Sequence, residues 1–269
     1  MILTLGSRGP AVLTLQNALK ARSHDAGASD GIFGKKTEAA VKSFQAAAGL
    51  AVDGKAGPKT LGAMGISPLE PESDLSKLKK GDADWYREAY RVCGFDPGME
   101  DEVERDADLV FRGFARYSAI TAATGVPEWY IGCTHFKEAS CDFRAILHNG
   151  QRIVGTGQKS TIVPIGVGPF ATFEEAAIHA LRHDGLDKNK DWSVGNALRL
   201  AERYNGTGYL RYHPEENSPY LWARTTLNDG FGKYVRDGVW DANAPTNKTT
   251  GFAAIMKSLE LRGKLTISS

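Results

Sequence analysis

Apolar residues recur at helical spacing in three short stretches near the start of the chain. The first stretch follows Gly9-Pro10, and its apolar positions lie three and seven residues apart: Val12, Leu15 and Leu19. The second predicts a helix from Thr37 to about Ala48, and the third predicts a short helix around residues 61–64. Three helices within about 65 residues form a compact module near the lower size limit for an independent core.

A sequence repeat connects these helices. The segment DGIFGKKT, residues 30–37, recurs 23 residues later as DGKAGPKT, residues 53–60, with five of eight positions identical. Asp-Gly favours a turn, the second glycine can supply a positive φ, and threonine is a common helix N-cap. Each copy is therefore predicted to be a turn that starts a helix, with Thr37 and Thr60 as the caps.

The remainder of the chain is also mainly helical in pattern. Apolar positions predict one long helix over residues 100–124 and another from Pro127 to about Ala139. A capping box, Thr172-Phe173-Glu174-Glu175, precedes a predicted helix over residues 176–183. Two further helices are predicted over residues 192–203 and 252–262.

The segments between the helices complete the predicted architecture. Residues 66–84 are rich in Pro, Ser and charged residues and predict a linker. Residues 149–170 are rich in Gly and Pro, with a short β-hairpin expected near Thr161-Ile162-Val163. The prediction is a mainly α chain, with a small three-helix domain over residues 1–65 and a larger α-rich domain over residues 85–269.

Composition and charge exclude several classes of protein. The 269 residues include 33 basic and 32 acidic side chains, and this balance argues against a dedicated nucleic-acid binder. No apolar run approaches the ~18 residues of a membrane span, so we expect no stable membrane association. Residues 1–10 lack the basic and apolar segments of a signal peptide, which predicts synthesis in the cytoplasm. An odd number of cysteines predicts reduced thiols rather than a disulfide framework: Cys93, Cys133 and Cys141.

The N-terminal module carries a family resemblance. The positions responsible are the helix residues Val12, Leu15-Gln16, Val41 and Phe44-Gln45 and the glycine-containing segments Leu5–Gly9, Asp30–Gly34 and Asp53-Gly54. Together they resemble the peptidoglycan-binding domain 1 family, which implies that residues 1–65 bind bacterial peptidoglycan. The same residues carry eight basic and four acidic side chains, and the net charge of +4 suits an anionic polymer.

Glu138 is the first candidate for chemistry in the larger domain. On the predicted helix, Ile131, Thr134 and Glu138 share one face, which carries no other charge and directs the carboxyl group toward the core. Burial and the negative end of the helix dipole would both raise its pKa. A carboxylic acid that stays protonated near neutral pH can donate a proton to a glycosidic oxygen. A structural ion pair with Arg144 or His135 is the alternative explanation.

Aromatic and polar residues cluster at predicted loop tips after Glu138. Such side chains stack on sugar faces and form hydrogen bonds with hydroxyl and acetamido groups. The candidates for substrate binding are His148, Asn149, Thr161, Tyr204, Asn205 and Tyr220, and further clusters occur in residues 203–209, 218–222 and 232–238. Tyr204-Asn205-Gly206 also fits a simple turn at the end of a helix.

The order of these features resembles the goose-type lysozyme and lytic-transglycosylase superfamily. More closely, residues 127–240 resemble the lysozyme-like catalytic domain of bacteriophage endolysins that carry an N-terminal wall-binding module. The resemblance implies that Glu138 is the catalytic acid and that Tyr204 and Asn205 lie in the substrate cleft. The segment Glu138-Ala139-Ser140 departs from the adjacent Glu-Ser of the superfamily, so Ser140 receives no role.

A second carboxylate is not evident, although glycosidases usually use two. The other acidic residues have separate explanations, as residues beyond the helix, in the capping box or in a solvated loop: Asp142, Glu174, Glu175, Asp184, Asp187 and Asp191. A single acid could act with a water held by polar groups such as Thr161. Alternatively, as the resemblance implies for relatives with one glutamate, a 1,6-anhydro product forms without water.

Other chemistries have weaker signals in the sequence. His179 and His183 have the spacing of a zinc pair, but Ala180 stands where a metalloprotease has its glutamate. Cys133 or Cys141 could form a thiol dyad with His148, but nothing marks a thiolate-stabilising environment. A mechanism based on Glu138 requires no metal and no organic cofactor.

The sequence therefore predicts a peptidoglycan-degrading endolysin, an N-acetylmuramidase that hydrolyses the β-1,4 bond between N-acetylmuramic acid and N-acetylglucosamine. The alternatives are a lytic transglycosylase and a non-catalytic wall-binding virion protein. The expected partner is bacterial peptidoglycan, and the expected state is a monomer. The endolysin resemblance implies passage from the host cytoplasm to the periplasm through holin-formed membrane lesions.

Overall fold

The computed structural model describes residues 2–7, 10–66, 75–228, 230–236, 238–246 and 249–267. The chain forms two compact units, Met1–Leu78 with Arg91–Phe95, and Lys79–Tyr90 with Asp96–Ser269. In the predicted linker, residues 67–74 lie outside the described residues and Leu75–Lys77 form a 3-10 turn. The domain boundaries derived from the sequence (residues 1–65, 66–84 and 85–269) stay a prediction.

The predicted mainly α fold is confirmed. The helices are α1 (Pro10–Lys20), α2 (Lys35–Ala47), α3 (Pro58–Ala63), α4 (Ala83–Val92), α5 (Glu100–Arg112), α6 (Phe114–Thr124), α7 (Glu128–Ala139), α8 (Phe173–His183), α9 (Val194–Asn205), α10 (Gly208–Tyr212), α11 (Pro219–Trp222) and α12 (Phe252–Leu261). A two-stranded antiparallel sheet consists of β1 (Phe231–Arg236) and β2 (Val239–Pro245). Within the described ranges, none of the helices combines the length and the apolar character needed to cross a bilayer.

One apolar cluster forms the core of the N-terminal unit. All three helices contribute buried residues to it, including Val12, Leu15, Leu19, Val41, Phe44 and Leu61. A β-bridge between Leu3 and Ala56, with backbone hydrogen bonds of 3.0 and 2.9 Å, holds the N-terminal segment against the second repeat loop. The predicted three-helix module is therefore present.

The first copy of the repeat is organised around the buried side chain of Gln16. Its amide nitrogen lies 2.8 Å from Asp30 Oδ1, 3.0 Å from the Ile32 carbonyl oxygen and 3.1 Å from Thr37 Oγ1. Its amide oxygen accepts the Gly31 N–H at 2.8 Å. One side chain thus satisfies polar groups on both sides of the turn.

The second copy has the same geometry around Gln45. The amide nitrogen lies 2.8 Å from Asp53 Oδ1, 2.9 Å from the Lys55 carbonyl oxygen and 3.1 Å from Thr60 Oγ1. The amide oxygen accepts the Gly54 N–H at 2.9 Å. The two glutamines stand on the preceding helices, outside the repeated octapeptide, so the repeat by itself does not identify them.

The predicted roles of the repeat's glycines and threonines are wrong in detail. Gly34 and Gly57 are the N-caps of α2 and α3, and their backbones are extended, with φ of −87° and −89°. The positive φ occurs at the first glycine of each copy, 71° at Gly31 and 74° at Gly54. Both threonines lie inside the first helical turn, where their hydroxyl groups contact the glutamine amide.

We expect Gln45→Met to destabilise the N-terminal unit by about 2–4 kcal/mol, because it leaves several buried polar groups without partners at nearly unchanged volume. The chain's five tryptophans all lie in the C-terminal unit: Trp85, Trp129, Trp192, Trp222 and Trp240. A calorimetric transition that tryptophan fluorescence does not follow therefore reports the N-terminal unit. That transition should occur at lower temperature in Gln45→Met and stay in place in Asn17→Met, at an exposed position of α1. An unchanged transition in Gln45→Met would contradict this role.

The predicted single helix over residues 100–124 is wrong, because the chain forms two helices that meet at Gly113. A β-carbon at Gly113 would lie 2.4 Å from the ring of Tyr117, so the ring occupies the space that a side chain would need. Both helices bury apolar residues at helical spacing: Val103, Ala107, Val110, Tyr117 and Ile120. Apolar periodicity therefore continues across the break and does not show where one helix ends.

Helix α7 is the centre of the C-terminal unit. Every residue from Trp129 to Phe136 is buried, and α5, α6 and α12 pack against it. Helix α12 is itself buried from Phe252 to Leu259. In the last turn of α7, Lys137 and Glu138 are half-exposed, so the central helix reaches solvent with a lysine and a glutamate.

The predicted short β-hairpin is confirmed as an element, but at another position. Strands β1 and β2 pair with Lys233 opposite Asp241 and Tyr234 opposite Trp240. Residues 149–170, where the sequence predicts the hairpin, contain no strand. The β-branched residues of this segment do not form a strand, because side-chain hydrogen bonds within the segment hold it in a loop conformation.

Those hydrogen bonds come from two amide side chains at the start of the segment. Asn149 Nδ2 donates to Ser160 Oγ at 2.9 Å and to the Val163 carbonyl at 3.1 Å. Gln151 Nε2 donates to Thr161 Oγ1 at 2.8 Å. They fix a loop that needs no ladder of backbone hydrogen bonds.

Candidate active site

The carboxyl group of Glu138 lies half-buried in the last turn of α7. Burial raises its pKa to about 7. The Tyr220 hydroxyl donates to Glu138 Oε1 at 3.1 Å, and this contact and the Lys137 ammonium favour the ionised form, whereas Asp184 disfavours it. The result is a carboxylic acid that is close to half protonated at neutral pH.

The ion pair that would explain Glu138 structurally is not found among the described residues. Arg144 pairs with Asp142 at 3.1 Å. His135 Nδ1 lies 2.9 Å from the Tyr117 hydroxyl, and its Nε2 lies 3.1 Å from the Asp142 carbonyl oxygen. Both candidate partners are therefore engaged elsewhere, and the carboxyl group of Glu138 is held by a phenol.

The backbone around Glu138 is tightly constrained. After the helix, Ser140 and Cys141 have positive φ values of 49° and 59°, which residues with side chains rarely adopt. The following loop folds back, and a β-carbon at Gly150 would lie 2.3 Å from the Glu138 carbonyl oxygen. Because Gly150 also has a φ of 73°, only glycine fits there without strain.

A cleft of 810 Å³ opens beside Glu138. The end of α7, the segments around α10 and α11, and the hairpin form its walls. Its lining residues are Lys137, Glu138, Asn205, Gly206, Gly208, Tyr209, Tyr212, Pro219, Tyr220, Lys233, Tyr234, Val235, Gly238 and Thr249. Three of the sequence candidates, Glu138, Asn205 and Tyr220, thus meet in one cleft, whose volume and aromatic lining suit a ligand of several sugar rings.

Tyr204 does not line the cleft. Its hydroxyl donates to the Leu147 carbonyl at 2.7 Å, and its pKa is raised well above the usual value by burial and by the neighbouring Glu138. Tyr204 therefore connects the end of α9 to the loop after α7. Its predicted contact with substrate stays a prediction.

His148, Asn149 and Thr161 also lie outside the lining of this cleft. Asn149 and Thr161 take part in the side-chain hydrogen bonds that fix the 149–170 loop. His148 Nε2 lies 2.8 Å from His179 Nδ1. Asn149 and Thr161 thus stabilise the loop and His148 contacts α8, and a role in substrate binding stays a prediction for each.

Among the described residues that line the cleft, Glu138 is the only carboxylic acid. Asp142 pairs with Arg144 and with Arg152, and these hydrogen bonds lower its pKa to about 2. Glu174 pairs with Arg116 at 2.7 Å, and Glu175 accepts the Ala171 N–H at 3.0 Å. Asp142, Glu174 and Glu175, three of the alternative second carboxylates, are thus engaged in structural contacts.

Metal and thiol chemistry receive no support from the geometry. In the part of the chain that the structure describes, no group of three or more His, Cys, Asp or Glu side chains is arranged to hold a metal ion. Burial raises the pKa of Cys141 to about 11 and that of Cys133 well above its usual value, so both thiols stay protonated. His148 contacts His179 and not a cysteine.

Several cleft residues are missed by the sequence prediction. Lys233 and Tyr234 belong to an aromatic and polar segment that the sequence analysis names as a cluster. Their position in the same cleft as Glu138 depends on the hairpin. Lys137 adjoins Glu138 in sequence. Its Nζ donates to the Thr250 carbonyl at 3.1 Å and lies 5.3 Å from the centre of the Tyr220 ring.

Another carboxyl group with a raised pKa lies outside the lining of the cleft. Glu202 on α9 is 2% exposed, and burial raises its pKa to about 7, although nearby Lys80 favours the ionised form. Its Oε1 has no hydrogen-bond partner among the described residues. The sequence gives no signal for this burial, since glutamates are usually exposed.

Comparisons with known proteins bear mainly on the N-terminal unit. Residues 8–64 match the family model described as "Putative peptidoglycan binding domain", which confirms the family resemblance of this part of the chain. The comparison with curated proteins finds no match. Among solved structures, the crystal structure of Burkholderia AP3 phage endolysin is similar at 24% sequence identity over 54% of this chain, with a TM-score of 0.24. The match spans 41% of that endolysin's chain.

Proposed function

We propose that this protein is a peptidoglycan-degrading glycosidase of the endolysin type, in which Glu138 protonates the glycosidic oxygen. The observation that carries the proposal is a half-buried carboxyl group with a pKa of about 7 on the wall of an 810 Å³ cleft. The family match over residues 8–64 supports peptidoglycan as the bound polymer and therefore as the substrate. The proposed site of action is accordingly the bacterial cell wall.

The proposed reaction starts with the β-1,4 bond between N-acetylmuramic acid and N-acetylglucosamine beside Glu138. The protonated carboxyl group transfers its proton to the leaving oxygen while the bond to the anomeric carbon breaks, and positive charge develops on the sugar ring. Glu138 is then a carboxylate, which the hydrogen bond from Tyr220 stabilises. In the second step this carboxylate accepts the proton of the attacking nucleophile.

The nucleophile decides between two products. Attack by water gives the hydrolysis product of an N-acetylmuramidase, and attack by the 6-hydroxyl of the same muramic acid gives a 1,6-anhydro end. Because Glu138 is the only carboxylic acid among the described lining residues, a lytic transglycosylase is the second candidate.

Mass spectrometry of fragments released from purified peptidoglycan tests both candidates. A muramidase gives fragments one water heavier than the 1,6-anhydro fragments of a transglycosylase, and Glu138→Gln should release neither. A wild-type protein that sediments with cell walls but releases no fragments would contradict the proposal and favour a non-catalytic wall-binding protein.

Tyr220→Phe should shift the pH dependence of the reaction upward. The substitution removes a hydrogen bond that favours the carboxylate, so the pKa of Glu138 rises. Because the protonated form is the active one, activity is lost as the pH rises through this pKa, and the alkaline limb should move up by about 1 unit. The pH–rate profile on soluble glycan strands measures the shift. Tyr212→Phe, another tyrosine of the cleft, should leave the limb in place; a Tyr220→Phe limb that stays or moves down argues against Glu138 as the acid.

A further inference from the structure

The cleft beside Glu138 carries more positive than negative charge. Its lining residues include two ammonium groups, on Lys137 and Lys233, and one carboxyl group, on Glu138, which is near half protonated at neutral pH. Residues 66–269 as a whole carry 25 basic and 28 acidic side chains, so this local excess opposes the charge of the surrounding chain. A positively charged cleft in a slightly acidic unit favours an anionic ligand.

The two lysines differ in their surroundings. Lys137 is engaged with the Thr250 carbonyl oxygen and the Tyr220 ring, and burial lowers its pKa to about 8. Lys233 on β1 is half-buried and has no side-chain hydrogen bond or ion pair among the described residues. Its cross-strand neighbour Asp241 instead accepts the Asn243 N–H at 2.9 Å. Of the two ammonium groups in this cleft, that of Lys233 is therefore the one available to donate hydrogen bonds to a ligand.

Contacts between aromatic rings hold the hairpin that carries Lys233. The ring of Tyr234, the next residue, lies 5.5 Å from that of Tyr209 and 5.3 Å from that of Trp240. His213 stacks on Trp240 at 3.7 Å. These ring contacts hold in place the strand that carries Lys233, which lines the cleft.

We propose that Lys233 is a specificity-determining residue that binds a carboxylate of the glycan strand and so favours muramic-acid-containing strands over uncharged ones. This inference rests on the proposed function. Peptidoglycan strands offer such a carboxylate in two forms. Strands without peptides carry the free lactyl group of muramic acid, and strands with peptides carry the acidic groups of the stem.

The substrate series that tests the proposal varies only the carboxylates. It comprises strands with stem peptides, strands stripped of peptides, and both preparations with their carboxylates converted to neutral amides. Lys233→Gln should raise KM about tenfold on a carboxylate-bearing strand and leave kcat within about twofold, since a charged hydrogen bond is lost from binding alone. On the amidated strands, the wild type should already show the higher KM and Lys233→Gln should add nothing. The preparation on which Lys233→Gln raises KM shows whether Lys233 binds the lactyl carboxylate or a carboxylate of the stem peptide.

Two further variants separate recognition from structure. Lys233→Arg should restore most of the lost affinity, because the positive charge is kept. Lys190→Gln, at an exposed position between α8 and α9, should resemble the wild type on every substrate. An unchanged KM in Lys233→Gln, or an equal rise on amidated and unmodified strands, overturns the proposal.

A binding measurement keeps this result separate from the proposed reaction. Fluorescent strands are titrated against Glu138→Gln with and without Lys233→Gln, so no cleavage is needed. A weaker Kd confined to the carboxylate-bearing strands supports Lys233 even if the wild type cleaves nothing. The same Kd for both proteins on the carboxylate-bearing strands, together with an unchanged KM, overturns it even if cleavage depends on Glu138.

Discussion

Glu138→Gln should reduce bond cleavage at least about a hundredfold, because general acid catalysis contributes about 10²–10⁴ to the rate. The amide has nearly the same size as the acid and can still accept the hydrogen bond from Tyr220, so the cleft should keep its shape. What the amide lacks is a proton that it can transfer. New reducing ends or 1,6-anhydro ends released from purified peptidoglycan measure the loss.

The matched control is Glu128→Gln in the first turn of the same helix. Glu128 does not line the cleft, and its loss removes only a modest interaction with the helix dipole. That variant should retain nearly full activity, and both variants should keep the wild-type circular dichroism spectrum. Activity of Glu138→Gln within about fivefold of the wild type would contradict the role of Glu138 as general acid.

Glu202→Gln should stabilise the C-terminal unit by up to about 3 kcal/mol at pH 8. The pKa of Glu202 is about 7 in the folded protein, against 4.5 for an ordinary glutamate, because burial disfavours its charge. The native state therefore loses stability as the pH rises from 4.5 to 7, and the full penalty remains above 7. Glutamine has no charge to bury, although Lys80 loses an attractive neighbour, which reduces the gain.

Urea denaturation followed by tryptophan fluorescence at pH 4.5 and pH 8 measures this effect. The variant and the wild type should differ little at pH 4.5, where the carboxyl group is protonated in the native state and still half protonated in the unfolded state, and most at pH 8. Glu104→Gln, on the exposed surface of α5, should change neither value. A stability difference that is equal at both pH values would show that Glu202 acts by packing and not by its charge.

Most of the longer helices were predictable because periodicity reports which face of a segment is buried, whereas α4, α10 and α11 were not predicted. Periodicity places Glu138 correctly in the last turn of a helix, although that helix is buried on all sides from Trp129 to Phe136 and Glu138 itself is half-exposed. It does not separate α5 from α6, since Gly113 interrupts the helix without interrupting the spacing of apolar residues. The hairpin position was also missed, because the polar residues that fix residues 149–170 resemble those of an ordinary loop.

The composition of the candidate site was also not predictable, because its residues are far apart in the sequence. Tyr220 lies 82 residues after Glu138, and only tertiary packing brings its hydroxyl to the carboxyl group. Lys233 enters the cleft because β1 forms at its rim, a placement that depends on where the hairpin lies. His148, Asn149 and Thr161 have residue types suited to sugars, but the structure uses those groups within the chain itself.

The paired loops of the N-terminal unit provide a replicate measurement within one molecule. Gln16 and Gln45 present the same amide to an aspartate, a carbonyl and a threonine, at distances that agree within 0.1 Å. Identical substitutions at the two positions, made singly and together, would show how strongly the energy of one hydrogen-bond pattern depends on its surroundings. The contribution of one hydrogen-bond pattern to stability, which usually has to be compared between different proteins, can thus be compared at two positions of the same chain.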